Sequence, residues 1–282
     1  MGTKITNLAQ RFLDANRSEG FGFAFEKSVA FLRAKLQIAS RSYQRKIVLS
    51  NRIHRKMNGV VGYGVMKGLK LLLSATWGRG DRAGMLLGLY EREVAGLLQK
   101  YMPGRSTFID IGAADGYYAV GMLVAGLCDE CVAFEASEKG RASILDLAKI
   151  NDFENHIKIL GAANENTLSE LSKNHQLDRS VILCDIEGEE INVFNDNSIA
   201  ILDGSIIIIE LHRYKGLNVD QVEAILRSRA KKYFHVETVK SGARFPLDIP
   251  ELEQYDEDDK WLICSEGRAY SQSWLVLVPK KC

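Results

Sequence analysis

Two pairs of polar side chains close neighbouring apolar runs, in the segments LCDIEGEE and IIIIELH. Asp185 and Glu187 end the first run, and Glu210 and His212 end the second. Because side chains at positions i and i+2 of an extended chain share a face, both pairs are expected to point into one crevice. An imidazole titrates near neutrality, so His212 is our first candidate for a general base, with Asp185 and Glu187 positioning a substrate. The alternative is that His212 only hydrogen-bonds a loop.

The same four residues, Asp185, Glu187, Glu210 and His212, also form an oxygen-rich set that suits Mg²⁺, Mn²⁺ or Ca²⁺. The alternative is a hydrogen-bonded polar cluster without a metal, and we favour that interpretation. In either case the acids need partners, because an unpaired charge buried at a crevice is costly.

A third stretch, FIDIGAADGYYA, combines an apolar run with Asp110, Gly112, Asp115 and Gly116. The glycines let backbone approach a ligand closely where a strand passes into a helix. A dinucleotide site would carry a second glycine where Ala114 stands. Two carboxylates beside this turn would repel a pyrophosphate but attract the ammonium of a methionine group. The turn therefore favours a cationic cofactor over a dinucleotide.

Two further segments, AFEAS and GAANEN, follow the next two apolar runs. Glu135 in the first can accept hydrogen bonds from both hydroxyls of a ribose. The second offers small residues and the amide of Asn164 where an adenine would lie. A plain turn residue is the alternative for Asn164.

These five segments occur in the order found in class I S-adenosylmethionine-dependent methyltransferases, and DIEGEE with ELH resembles the FkbM-type members in particular. The resemblance covers roughly residues 87–211. It implies S-adenosyl-L-methionine as the cofactor, with contacts at Asp110, Gly112 and Glu135 and a site element at 185–188. The full set of cofactor contacts that we expect is Asp110, Gly112, Ala113, Gly116, Glu135, Ala136, Asn164 and Asp185.

The activity that this resemblance implies is O-methylation of a hydroxyl on a glycan, a lipid or a natural-product small molecule. One alternative is a nucleic-acid methyltransferase. Methylation of base amino groups usually goes with an Asn/Asp-Pro-Pro-aromatic element after the fourth strand, and this chain has DIEG there. A second alternative is a non-catalytic, cofactor-binding scaffold. The presence of Asp110, Gly112 and Glu135 together argues against a decayed pocket.

The elements that must position these residues follow Gly104, where short β-branched runs alternate with helical patterns. The runs are 107–111, 131–134, 157–160, 181–184 and 205–209, and the helical patterns between them are 116–125, 138–150, 167–174 and 189–195. Strands this apolar are buried on both faces in a parallel sheet covered by helices. YFHVETV and SWLVLVP predict a closing antiparallel pair. We therefore expect an α/β, three-layer Rossmann-like methyltransferase sandwich with a mostly parallel, seven-stranded sheet.

The chain before Gly104 reads as a helical extension, so we predict a basic helical arm or cap at 1–103 and a methyltransferase domain at 104–282. Apolar stripes over 25–36 and 87–101 predict helices, with a glycine-rich loop or broken helix at 59–68 between them. Glu91 is expected on a solvated helix face; the alternative is that it reaches the mouth of the cofactor site. The acidic segment ELEQYDEDDK is expected to be a solvated loop.

The charge is divided unevenly along the chain. Residues 1–105 hold 19 Lys and Arg against 6 Asp and Glu, and the remainder hold 18 against 30. Such a basic run, densest over residues 27–80, can meet a lipid surface, an acidic glycan or nucleic acid; the alternative is a basic layer folded on the chain's own acidic half. Sparse cysteines and the absence of a signal-peptide pattern lead us to expect a cytoplasmic protein.

Overall fold

The computed structural model of the chain describes residues 40–74, 78–173, 175, 177–246, 248–268 and 270–280. The predicted helix over 25–36 and the first part of the basic run lie outside these residues.

One seven-stranded sheet forms the centre of the molecule, in the order β3-β2-β1-β4-β5-β7-β6. Its strands are β1 (Thr107–Ile111), β2 (Glu130–Phe134), β3 (Ile157–Leu160), β4 (Ser180–Cys184), β5 (Ile206–Glu210), β6 (Phe234–Lys240) and β7 (Ser273–Pro279). The first five pair in parallel, and β7 lies antiparallel between β5 and β6. The predicted α/β architecture with an antiparallel closing pair is confirmed.

Helices cover the sheet on both sides. They are α1 (Arg41–Lys56), α2 (Arg82–Leu86), α3 (Arg92–Tyr101), α4 (Tyr117–Val124), α5 (Glu138–Ile150), α6 (Thr167–Leu171), α7 (Glu190–Val193), α8 (Asp196–Ile201), α9 (Val219–Ala230) and α10 (Glu257–Cys264). Alternate residues of one strand enter different apolar clusters: Phe108 packs in one core and Ile109 in the other. The sheet is therefore the middle of three layers.

Three predicted helices have different bounds in the structure. The pattern over 167–174 forms a helix only as far as Leu171, the pattern over 189–195 forms one only over Glu190–Val193, and the pattern over 87–101 forms one only from Arg92. A further short helix, α8, begins after Asn195, whose side chain accepts hydrogen bonds from the backbone N–H groups of Asn197 and Ser198. An asparagine that caps in this way begins a new helix rather than continuing the old one.

The described part of the N-terminal extension shares its apolar core with the sheet. Leu49 and Ile53 of α1 pack in the same cluster as Phe108 of β1. The glycine-rich segment 59–68 is irregular, as expected, and an antiparallel bridge between Val60 and Lys70 closes it. The described residues between 40 and 103 thus belong to the layer on one side of the sheet.

The acidic segment ELEQYDEDDK differs from its predicted form as a solvated loop. Its last four residues begin α10, where acids favour the positive end of the helix dipole. Asp259 is buried and forms an ion pair with Arg45 of α1 at 2.5 Å. Lys46 pairs with Asp81 at the same distance. Part of the basic run therefore packs against the chain's own acids.

No described helix has both the length and the apolar composition required to cross a membrane. The four cysteines within the described residues (Cys128, Cys131, Cys184 and Cys264) are buried and free.

Candidate active site

A cavity of about 800 Å³ opens where β1, β2, β4 and β5 reach their carboxyl ends. Asp110, Gly112, Glu135, Asp185 and Glu210 all line it. Among its described lining residues are ten acids and two arginines. The edge of a parallel sheet at which loops gather is the usual place for a ligand in this architecture.

The turn after β1 brings two strand ends into contact. Gly112 has φ +97°, and a Cβ built on it would lie 1.7 Å from the carbonyl oxygen of Asp185. The N–H groups of Gly112 and Ala113 both donate to the carbonyl of Phe134 on β2. Only glycine fits this position, because it tolerates a positive φ and leaves room for the neighbouring backbone.

Asp110 lies at the bottom of this cavity and is 3% exposed. Its Oδ2 has no hydrogen-bond partner. Burial, together with the neighbouring charge of Asp185, raises the pKa of Asp110 to about 8. A buried, unsatisfied carboxylate is costly unless a ligand supplies the missing donor or positive charge.

Glu135 crosses from the end of β2 to the turn after β1. Its Oε2 accepts the N–H of Ala114 at 2.9 Å, and its Oε1 accepts the N–H of Ser137 at 2.7 Å. A carboxylate offers about four acceptor sites, so two remain for hydroxyl groups of a ligand. Ala136 also lines the cavity.

Asn164 holds a turn after β3. Its Oδ1 accepts the N–H of Asn166 at 2.8 Å, and its own N–H donates to Thr167 Oγ1. The residues of this segment that line the cavity are Ala162 and Ala163. The structure thus gives Asn164 the turn role that was the alternative for it, and small side chains face the ligand space.

Three of the predicted carboxylates, from Asp185, Glu187 and Glu210, surround the imidazole of His212. Its Nε2 lies 3.7 Å from Asp185 Oδ1, 3.7 Å from Glu187 Oε2 and 3.6 Å from Glu210 Oε1. Its Nδ1 lies 2.7 Å from Glu190 Oε1. Glu187 reaches this point from a left-handed backbone with φ +59°, a strained conformation of the kind that clusters at functional sites.

The acids around His212 decide its protonation. Burial opposes a charged imidazole, but the hydrogen bond to Glu190 and the charges of Glu190, Asp185 and Glu187 outweigh burial and raise the pKa of His212 to about 9. Burial raises the pKa of Asp185 to about 7 and that of Glu210 to about 8. His212 is therefore a cation at neutral pH in this arrangement, and it must lose that proton before it can act as a base.

Glu190 was not among the residues selected from the sequence. It is fully buried, and its Oε1 accepts the N–H of Gly188 as well as contacting His212. Its position as the last residue of the DIEGEE segment was the sequence signal that could have indicated Glu190 as a site residue. By holding Nδ1, Glu190 directs Nε2 of His212 toward the three other carboxylates.

A second buried network centres on Arg268, which the sequence did not indicate either. Its guanidinium donates to Glu91, to Glu266 Oε2 at 2.7 Å and to Glu210 Oε1 at 3.3 Å. The Trp274 indole N–H donates to the second oxygen of Glu210 at 3.0 Å. Both oxygens of Glu210 are therefore engaged by neighbouring side chains.

Glu91 corrects our expectation of a solvated helix face. It is 4% exposed and lines the cavity, and its Oε2 accepts the hydroxyl hydrogen of Tyr118 at 2.9 Å. The reason is its backbone: Glu91 precedes α3 with φ +41°, so it lies outside the helical periodicity from which exposure was inferred.

Comparison with solved structures identifies the architecture. The METTL16 MTase domain superposes with a TM-score of 0.53 at 13% sequence identity, covering 83% of this chain and 79% of that chain. The fold is that of a Rossmann-like methyltransferase. No protein-family model matches the sequence, and no curated protein matches it either.

Two other similar structures align over a smaller share of the chain. One is the O-methyltransferase from Bacillus cereus in complex with SAH, at 14% identity and a TM-score of 0.42, covering 67% of this chain and 81% of that one. The other is Streptococcus pneumoniae Sp1610 in complex with S-adenosyl-L-methionine, at 13% identity and a TM-score of 0.43, covering 65% and 71%.

Proposed function

We propose that the protein is an S-adenosyl-L-methionine-dependent O-methyltransferase of FkbM type, acting on a hydroxyl of a glycan, a lipid or a natural-product small molecule. The observation that carries this proposal is Asp110, a buried carboxylate with an unsatisfied oxygen in the cavity of a methyltransferase fold. The ammonium group of the donor is a ligand that satisfies it.

The residues around the turn fit the rest of the donor. Gly112, Ala113 and Gly116 carry no large side chain, so the donor can approach the backbone of this turn. Asp185 lines the same cavity as Asp110. Glu135 has acceptor sites for the ribose hydroxyls. We place the adenine beside Ala136 and the small residues before Asn164. Bound there, the donor supplies a methyl group on a positively charged sulfur.

The acceptor hydroxyl is proposed to lie between this sulfur and His212. Its oxygen attacks the methyl carbon, the new O–C bond forms as the C–S bond breaks, and the electron pair returns to sulfur. The hydroxyl proton goes to Nε2 of His212 in its neutral form. A cationic donor nearby favours that form, because like charges oppose protonation. Asp185 and Glu187 are proposed to position the acceptor molecule beside His212.

Apart from Arg82, which lines the cavity, the described basic residues of the N-terminal layer lie outside this chemistry. Arg45 and Lys46 are paired with acids, whereas Arg52, Arg55 and Lys67 are exposed. An anionic partner on that exposed face (a lipid surface, an acidic glycan or nucleic acid) stays a prediction, as do the domain boundary at 103 and a cytoplasmic location.

Calorimetry with purified full-length chain tests the donor assignment. We expect S-adenosyl-L-methionine to bind saturably at one site per chain and NAD⁺ to produce no saturable heat. Asp110→Asn should weaken donor binding, whereas Asp203→Asn, which removes an equal charge from an exposed position before β5, should not. Saturable binding of NAD⁺, or no donor binding by the wild type, would contradict the assignment.

A labelled-methyl assay then tests the acceptor class. Glycan, lipid, small-molecule and RNA fractions of a cell extract are incubated separately with the protein and labelled donor. Label in a base-stable ether of a non-nucleic-acid fraction supports O-methylation. Label confined to RNA would replace it with the nucleic-acid alternative, and donor binding without label in any fraction would indicate a scaffold.

A further inference from the structure

Asp185, Glu187 and His212 offer one ligand atom each within 4.8 Å of one another. Within the part of the chain that the structure describes, this is the one group of three such side chains with metal-ligating geometry. It combines two carboxylates with an imidazole, so it is more than a patch of surface acids. Its members follow the ends of β4 and β5, two strands that pair in parallel with each other.

A second observation comes from Asp185 itself. Its Oδ1 is fully buried and has no hydrogen-bond partner, and it points toward Nε2 of His212 at 3.7 Å. One oxygen of Asp185, one oxygen of Glu187 and Nε2 of His212 lie close enough together for a cation between them to reach all three at ordinary coordination distances. At this distance Asp185 Oδ1 receives no hydrogen bond from the protonated His212, and a cation held between the two side chains would satisfy it directly.

Neighbouring side chains hold His212 in an orientation that suits cation binding. Glu190, fully buried, engages Nδ1 of His212 at 2.7 Å and leaves Nε2 directed at the carboxylates. A carboxylate behind a ligating histidine fixes the ring and makes it a better ligand. Glu210, by contrast, is unsuited to coordinate, because Trp274 and Arg268 occupy its two oxygens.

We propose that Asp185, Glu187 and His212 bind one divalent cation of the Mg²⁺, Mn²⁺ or Ca²⁺ class, with Glu190 as the positioning residue behind His212. Two carboxylates with one imidazole suit these oxygen-preferring ions. Water and an oxygen of the acceptor complete the coordination. The role of the cation in catalysis rests on the proposed function, but its binding does not.

This site changes the part that His212 plays. When Nε2 is a ligand it cannot take the acceptor's proton, so the cation rather than the histidine makes the hydroxyl acidic. The proton then leaves to water at the cavity mouth, where the Glu187 side chain is 75% exposed. A cation also balances part of the negative charge that the cavity concentrates.

The test uses Mn²⁺ alone with the full-length, chelator-treated chain, followed by electron paramagnetic resonance of the free ion and by calorimetry. We expect one saturable Mn²⁺ per chain and a loss of at least about tenfold in affinity for Glu187→Gln, because even groups behind a ligand are worth that much. Glu187 is exposed, so this variant should fold, which circular dichroism checks. Asp203→Asn is the charge-matched control and should bind like the wild type.

Two results would overturn the proposal: no saturable Mn²⁺ binding by the wild type, or equal affinities for Glu187→Gln and Asp203→Asn. Donor binding is measured on the same samples without metal. If the donor binds but Mn²⁺ does not, the cation proposal alone is contradicted. If Mn²⁺ binds but the donor does not, the proposed function is contradicted and the cation proposal stands.

Discussion

Protonation of Asp110 should make donor binding depend on pH. Its pKa is raised to about 8 because it is buried beside Asp185. A cationic donor needs the ionised carboxylate, so below pH 8 binding must release the proton, and affinity must rise with pH. The ionised fraction of such a group increases from roughly 0.3% at pH 5.5 to roughly 9% at pH 7.0. We therefore expect the donor affinity to rise about 30-fold, which corresponds to about 2 kcal/mol of binding free energy.

Calorimetry of S-adenosyl-L-methionine binding at these two pH values measures the effect. The upper limit of pH 7.0 keeps the donor's own amino group mostly protonated. Titrations in two buffers of different ionisation enthalpy count the protons released, and we expect about one per donor bound at pH 6 from Asp110. Asp185 and Glu210, whose pKa values are raised to about 7 and about 8, add to any dependence.

The variant Asp110→Asn isolates the contribution of Asp110. A neutral amide imitates the protonated acid, so the variant at pH 7.0 should bind no more tightly than the wild type at pH 5.5. Its proton release should fall by about one. Equal wild-type affinity at both pH values, or release unchanged in the variant, would refute the assignment of Asp110 as the group that receives the donor's charge.

Three further substitutions follow from the geometry. Gly112→Ala should destabilise the fold by more than about 3 kcal/mol in urea unfolding, because its Cβ meets the carbonyl of Asp185 at 1.7 Å. Glu190→Gln should lower the pKa of His212 from about 9 toward its ordinary value, measured by NMR titration. Arg244→Met should cost about 3–5 kcal/mol in urea unfolding, since it leaves Glu93 and Glu266 short of a buried partner.

Each of these has its own control. Gly126→Ala shares a positive φ but meets nothing within 4 Å, so it should cost only about 1–2 kcal/mol. An unchanged His212 titration in Glu190→Gln would show that the other carboxylates set its charge. Arg227→Met removes a half-exposed pair with Glu223 together with hydrogen bonds to Val236 and Thr238, and it should cost less than Arg244→Met because these groups are partly solvated. A cost for Arg244→Met no larger than this would contradict the buried network.

The sheet was predictable because its signal is local. Runs such as 107–111 and 181–184 are apolar on both faces, which is typical of central parallel strands, and both form fully buried strands. The meeting of Asp185 and Glu187 with His212 followed from the same reasoning, since neighbouring parallel strands end at one edge. The short helix α8 was not predicted: the pattern over 189–195 placed Asn195 at the end of a helix, whereas in the structure it is the N-cap of the next one.

The Arg268 network was not predictable, because its partners are distant in sequence. Arg268 meets Glu91 across 177 positions, in a loop with no periodicity of its own. The inward turn of Glu91 depends on a left-handed residue before α3, and no glycine marks it. Such pairings are set by tertiary packing. A place at the cofactor mouth was only the alternative for Glu91, and Arg268 carried no signal beyond its charge.

The charge of the cavity limits which acceptors it can receive. Ten acids and two arginines line it, and the donor adds one net positive charge. A phosphate brought to about 4 Å from one carboxylate would meet a repulsion of about 4 kcal/mol at the effective dielectric of a protein surface. Without a bound cation, the site therefore disfavours acceptors that place phosphates near Glu187. A nucleic acid held on the exposed basic face of α1 would then have to present a neutral group here, whereas a sugar hydroxyl meets no such barrier.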